Sequence, residues 1–132
     1  MATRDVVEQF LQRLAAADAD GLGDLFAESI DWRVAGNTEL PWVGTRSHRS
    51  EVPAYFRTLW TGLEPGKSTV DLDGILVDGE DAVLLAHFSH VAAPTGKRFD
   101  TDVAMRLTVS DDKLVRLHLY EDTWAVATAF QE

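Results

Sequence analysis

The side chains best suited to moving a proton in this chain are three carboxylates: Asp100, Asp102 and Glu121. Asp100 and Asp102 stand two apart in the run RFDTDVAMRLTV, which reads as a strand, so both point to one face. If that face lined an apolar pocket, desolvation and mutual repulsion would raise at least one pKa, and the pair could supply an acid and a base. The same strand carries a counter-argument. Phe99, Val103, Met105, Leu107 and Val109 alternate as a core-facing set, which leaves Asp100, Asp102 and Arg106 facing away. A β-bulge would reconcile the two readings, and bulges occur in curved sheets near sites. Glu121 shares parity with Val115, Leu117 and Leu119, so it ends an apolar row. It stands either at a pocket rim with a raised pKa or in solvent where the strand stops.

The histidines offer less. His87 and His90 are three apart on a predicted strand and face opposite ways, a spacing unsuited to a strand metal site. With no cysteine and no HExxH motif, no metal is expected. His87 shares parity with Val83, Leu85 and Val91, so it is expected inward, as a core histidine or a pocket residue. His118 and Tyr120 share a face with Arg116, opposite the apolar row, where a subunit contact is the simplest use. Asp122 suits a helix cap. Trp32, Trp42, Tyr55, Trp60 and Trp124 give large apolar surfaces with polar tips, which suit ligand walls; core filling is the alternative for Trp32. The GKST stretch at Gly66 lacks the upstream glycine of a phosphate loop, and no serine sits in a nucleophile elbow.

These residues need elements to position them. Val6, Val7, Phe10, Leu11 and Leu14 recur at helical spacing, with Thr3 as a candidate cap. DADGLGDLFAES reads as a turn and a short helix with Leu22, Leu25 and Phe26 inward. Residues 29–35 alternate as a half-buried strand, and 36–50 read as a loop that carries Trp42 and Val43. A third helix is expected over 51–62, with Pro53 in its first turn. Strands follow over 68–77, 82–92, 99–109 and 114–121, joined by tight turns, then a short terminal helix. The fold class is therefore α+β. A curved antiparallel sheet packs against three N-terminal helices, in a single domain over 1–132, with a cone-shaped pocket between sheet and helices.

Composition sets limits. Twelve Lys and Arg stand against 22 Asp and Glu, a formal net charge of -10, which repels phosphate backbones and anionic membranes. Neither nucleic acid nor a membrane is an expected partner. No apolar run approaches the roughly 20 residues of a membrane span. The opening MATRDVVEQFLQRL has acidic residues within its apolar face, unlike a signal peptide, and a cytoplasmic location is expected.

The leading helix, DLFAESIDWRV, PWVGTRSHRSEVPAYFRTL and the ending VSDDKLVRLHLYEDTWAVATAF resemble the nuclear transport factor two-like superfamily. Within it they resemble SnoaL-like and ketosteroid-isomerase-like proteins. The resemblance implies a cystatin-like α+β barrel, no cofactor, a homodimer and a small hydrophobic ligand. It implies acid–base isomerisation, cyclisation or dehydration of a polyketide, terpenoid or steroid-like molecule. A non-catalytic binder with the same pocket is the alternative. The resemblance puts Asp100 near the oxyanion-binding acid of ketosteroid isomerases, whereas their base maps loosely to Asn37 or Glu39. Their helix-borne tyrosine has no match, because that face holds Phe10 and Leu14. Limonene epoxide hydrolases carry an Arg-x-Asp like Arg98 and Asp100, but their second aspartate falls on Leu119. That departure argues against hydrolase chemistry and leaves Leu119 as a wall residue.

Overall fold

The computed structural model describes residues 2–132. Helix α1 (Thr3–Ala15) buries Val6, Val7 and Phe10, one stripe at spacings of three and four. The Asp5 carboxylate accepts from the Ala2 backbone N–H (3.2 Å). The Thr3 hydroxyl instead donates to the Gly79 carbonyl at 2.8 Å, so it ties the helix to a distant turn rather than capping it. Helix α2 (Ala19–Asp24) is capped by Asp18, whose carboxylate accepts from Gly21 N–H at 2.9 Å.

The chain then departs from expectation. Strand β1 runs from Phe26 to Val34, so Phe26 begins a strand rather than extending a helix. A register shift between Ser29 and Trp32 interrupts its edge pairing, while burial still alternates over 30–34. The expected loop contains strand β2 (Gly44–His48), which pairs antiparallel with β1 at the sheet edge. Helix α3 (Glu51–Thr61) follows, with Pro53 in its first turn, where a missing N–H costs nothing. Strands β3 (Thr69–Asp78), β4 (Asp81–Val91), β5 (Arg98–Ser110) and β6 (Lys113–Glu121) then form a meander, and helix α4 (Thr123–Ala129) ends the fold. Asp122 caps α4 by accepting from Ala125 N–H at 3.0 Å. The β5–β6 turn places Asp111 and Asp112 at φ of 50° and 63°, the left-handed pair that matches the twist of a tight hairpin.

The sheet order is β2-β1-β6-β5-β4-β3. Every neighbouring pair is antiparallel except β1 with β6, which is parallel, so the sheet is mixed. One face carries Trp32, Val34, Leu84, Val103, Leu107 and Leu117, all buried beneath the helices. Edge-to-face rings stitch the two layers: Phe10 meets Phe26 at 6.5 Å between centroids, and Trp32 meets Tyr55 at 4.7 Å. The opposite face is a lattice of polar pairs. Asp31 accepts from Arg116 (3.2 Å) and His118 (2.9 Å), and Asp81 accepts from Thr108 (2.6 Å) and Arg106 (3.3 Å). Leu76 and Leu85 lie exposed beside them. Among the described residues, no helix is long and apolar enough to cross a membrane.

Candidate functional site

A cavity of about 440 Å³ opens where the concave sheet face parts from the helices. That is room for a small organic molecule, within the usual range of about 300–1,000 Å³ for ligand sites. The end of α1 contributes Leu14, and α3 contributes Tyr55, Leu59 and Trp60. The sheet supplies Val70, Phe88, Met105 and Leu119, and Val126 of α4 closes one side. Trp42 reaches in from the segment between β1 and β2. Arg46 on β2 fixes that segment by donating to the Trp42 carbonyl at 3.0 Å, while its guanidinium lies 4.9 Å from the centre of the Tyr55 ring.

Among the described residues, four polar side chains face this mostly apolar space: Glu121, Tyr55, His90 and Ser68. Glu121 is the only carboxylate among the described residues lining it. It pairs with Val103 across β5–β6, so it stands on the core face in the row of Leu117 and Leu119. Burial pushes its carboxyl up to about 7, and the neighbouring charge of Asp122 adds to the shift. Burial also raises the Tyr55 hydroxyl, with a further push from Glu121, so it stays a protonated donor. Its ring is held against Trp32 and Phe56. His90 packs between Phe88, which it meets edge-on, and Phe99, which is tilted to it, with centroids 5.7 and 5.5 Å away, and its Nδ1 meets Ser68 Oγ at 2.7 Å. Burial lowers its pKa to about 4, so the ring is neutral at pH 7.

Trp42, Tyr55, Trp60, Leu119 and Glu121 thus come together around one cavity. Asp100 and Asp102 do not join them. The β4–β5 register runs unbroken from Asp81–Thr108 to Val91–Arg98, so no bulge turns the carboxylates inward. Both are exposed on the outer face, where the His87 ring sits between them, Nδ1 2.8 Å from Asp102 and Nε2 3.2 Å from Asp100. The expectation of an inward His87 is corrected as well. Asp102 and then Asp100 hold its pKa up, and the His87 hydrogen bond holds Asp100 down. Trp124 points outward with 78% of its surface exposed, which takes it off the cavity wall. Trp32 is core: it is 1% exposed, and its Nε1 is buried without a hydrogen-bond partner among the described residues.

His90 and Ser68 were not expected at the site. Only parity with Phe88, Ala86 and Leu84 would have found His90, and the unbroken apolar run AVLLA at 82–86 hides which parity is inward. Among the described residues, no three His, Asp or Glu side chains gather into a metal cradle.

A six-stranded curved sheet folded over an apolar cavity with a few inward polar groups defines a recognisable class. Residues 7–117 match the SnoaL-like domain, and the chain belongs to that family. An NTF2-like protein from Burkholderia thailandensis is 24% identical with a TM-score of 0.88, over 100% of this chain and 99% of that one. A protein of unknown function with a cystatin-like fold from Xanthomonas campestris is 19% identical with a TM-score of 0.85, over 100% of both chains. TerC, crystallised with polyporic acid, is 15% identical with a TM-score of 0.82, over 96% of both chains. At these identities the likeness establishes the fold. No curated protein matches the sequence.

Proposed function

We propose that this protein catalyses proton transfer on a small, mostly apolar substrate without a cofactor, with Glu121 as the group that takes and returns the proton. The observation that carries this reading is a single carboxylate facing an apolar cavity, with its pKa pushed up to about 7. A base titrating near the working pH combines a useful ionised fraction with enough basicity to remove a proton from carbon. Tyr55 faces the same space as a protonated donor and suits an oxygen that gains charge as the proton leaves. Isomerisation, cyclisation and dehydration all need these two operations. The likeness to TerC, which was co-crystallised with polyporic acid, supports a small organic substrate.

The benzisoxazole ring-opening reaction tests the base without knowledge of the natural substrate. In 5-nitrobenzisoxazole, removal of the C3 proton breaks the N–O bond and releases a coloured phenolate. Turnover is expected to rise with pH through about 7 as Glu121 ionises. Glu121→Gln should lower it roughly 100-fold or more, the usual contribution of a positioned base. Asp100→Asn, on the outer face, should leave it within about twofold, since a surface change away from the cavity is nearly neutral. Turnover indifferent to Glu121 would refute the assignment. The second reading, a binder without chemistry, is favoured by the predominance of apolar side chains on the wall. It gains if the probe binds and is never opened.

A further inference from the structure

His90 and Ser68 form a side-chain pair that the proton-transfer reading leaves unused. His90 is on β4 and Ser68 stands just before β3, so the pair sits toward the outer end of the sheet. The register fixes its relation to Glu121. His90 lies opposite Phe99, and Glu121 lies opposite Val103. Phe99 and Val103 share parity on β5, and directly opposed residues share a face, so both polar groups rise from the concave side. They flank β5 on either side, roughly 10 Å apart across the strands, and roughly 13 Å apart along them. The cavity therefore has two polar ends with apolar wall between.

The chemistry of the His90 end is constrained. Phe88 and Phe99 hold the ring in place. Ser68 is exposed at the mouth, and its hydroxyl has one hydrogen to give. An oxygen open to water satisfies its acceptor capacity there and is free to donate that hydrogen to Nδ1, 2.7 Å away. A neutral imidazole that accepts at Nδ1 must carry its proton at Nε2. We infer that the His90–Ser68 pair is the oxygen-binding end of the cavity: Nε2–H of His90 donates to a carbonyl or similar acceptor oxygen of the ligand, and Ser68 positions the ring by fixing its tautomer. This rests on the cavity being a ligand site. It makes His90 the residue that selects oxygenated ligands over plain hydrocarbons, and it orients them with the acceptor outward and carbon toward Glu121.

Two flat probes of similar size separate the cases: 2-acetylnaphthalene, which has one acceptor oxygen, and 2-ethylnaphthalene, which has none. Binding is read from quenching of tryptophan fluorescence. His90→Phe keeps the ring contacts and removes the donor. It should weaken the ketone roughly fivefold to tenfold, as loss of one hydrogen bond does, and leave the hydrocarbon within about twofold. Ser68→Ala should leave folding unchanged and shift the 15N resonances of His90 from one neutral tautomer toward a mixture. Equal weakening of both probes, or of neither, overturns the inference, as does a spectrum of the unaltered chain with the proton on Nδ1. If neither probe binds the unaltered chain, the cavity reading falls with it; if both bind and only the His90 selectivity is missing, that reading stands and this inference alone fails.

Discussion

Replacing Glu121 by glutamine should make the protein more stable, and only above a defined pH. Ionised Glu121 faces an apolar cavity, and the energetic cost of holding that charge there follows from its titration. Its carboxyl has an ordinary value of 4.5 and is pushed up to about 7 in the fold. At about 1.4 kcal/mol per pH unit, that gap of about 2.5 corresponds to about 3.5 kcal/mol. Between pH 4.5 and 7 the folded chain keeps this proton while the unfolded chain has lost it, so stability falls as pH rises through the window. Below 4.5 both states are protonated and nothing is lost; above 7 the full penalty applies. Water at the cavity mouth screens part of it, leaving about 2–3 kcal/mol. Glutamine is nearly the same shape and never ionises. The variant should match the parent at pH 4.5 and exceed it by about 2–3 kcal/mol at pH 8, as read from urea unfolding midpoints across the range. A difference that stays constant with pH would refute the reasoning, because it would mean the carboxyl titrates alike in both states.

Other perturbations follow from the same geometry. Thr101 is 2% exposed and its hydroxyl accepts from the Asp122 N–H at 2.9 Å, which anchors α4 to the sheet. Thr101→Val keeps the shape and strands that N–H, at about 1–3 kcal/mol; unchanged thermal unfolding would count against this anchor. Trp42 is buried, meets Phe130 edge-on at 4.9 Å and lines the cavity. Trp42→Ala should cost about 3–5 kcal/mol and weaken 2-acetylnaphthalene binding, and a loss below about 1 kcal/mol would mean its contacts are dispensable.

The elements that could be read in the sequence were those with a strong apolar period. The α1 stripe, α3 and strands β4, β5 and β6 each bury one face, whereas β3, also legible as a strand, buries none of its residues. Strand β2 gave no such signal: Gly44–His48 is an edge strand with three of five residues exposed, so no alternation marks it. The end of α2 was misplaced because Leu25 and Phe26 continue an apolar run after the backbone has left the helix. The parallel β1–β6 pairing depends on long-range contact that no local pattern encodes.

The site divides the same way. Parity placed Glu121 in the apolar row of β6, and parity also placed Asp100 and Asp102 opposite Phe99 and Val103. A family resemblance drew Asp100 toward the site, but the unbroken β4–β5 register keeps both carboxylates outside. On β4 the parity argument failed, because Val83 and Leu85 face outward while Leu84 and Ala86 face in, so apolarity could not say which histidine was buried.

The parallel union of β1 and β6 has a consequence for how the cavity is assembled. Asp31 and Arg116, which meet across it, are 85 residues apart in the chain. A contact that distant carries a loop-closure cost that must be met before the pairing stabilises the fold. The strand that bears Glu121 lies between β1 and β5, and it must be seated there before the cavity has a wall. The wall that carries Leu119 and Glu121 is therefore complete only once this long-range pairing has formed, so the cavity is a product of the finished sheet and of no local segment.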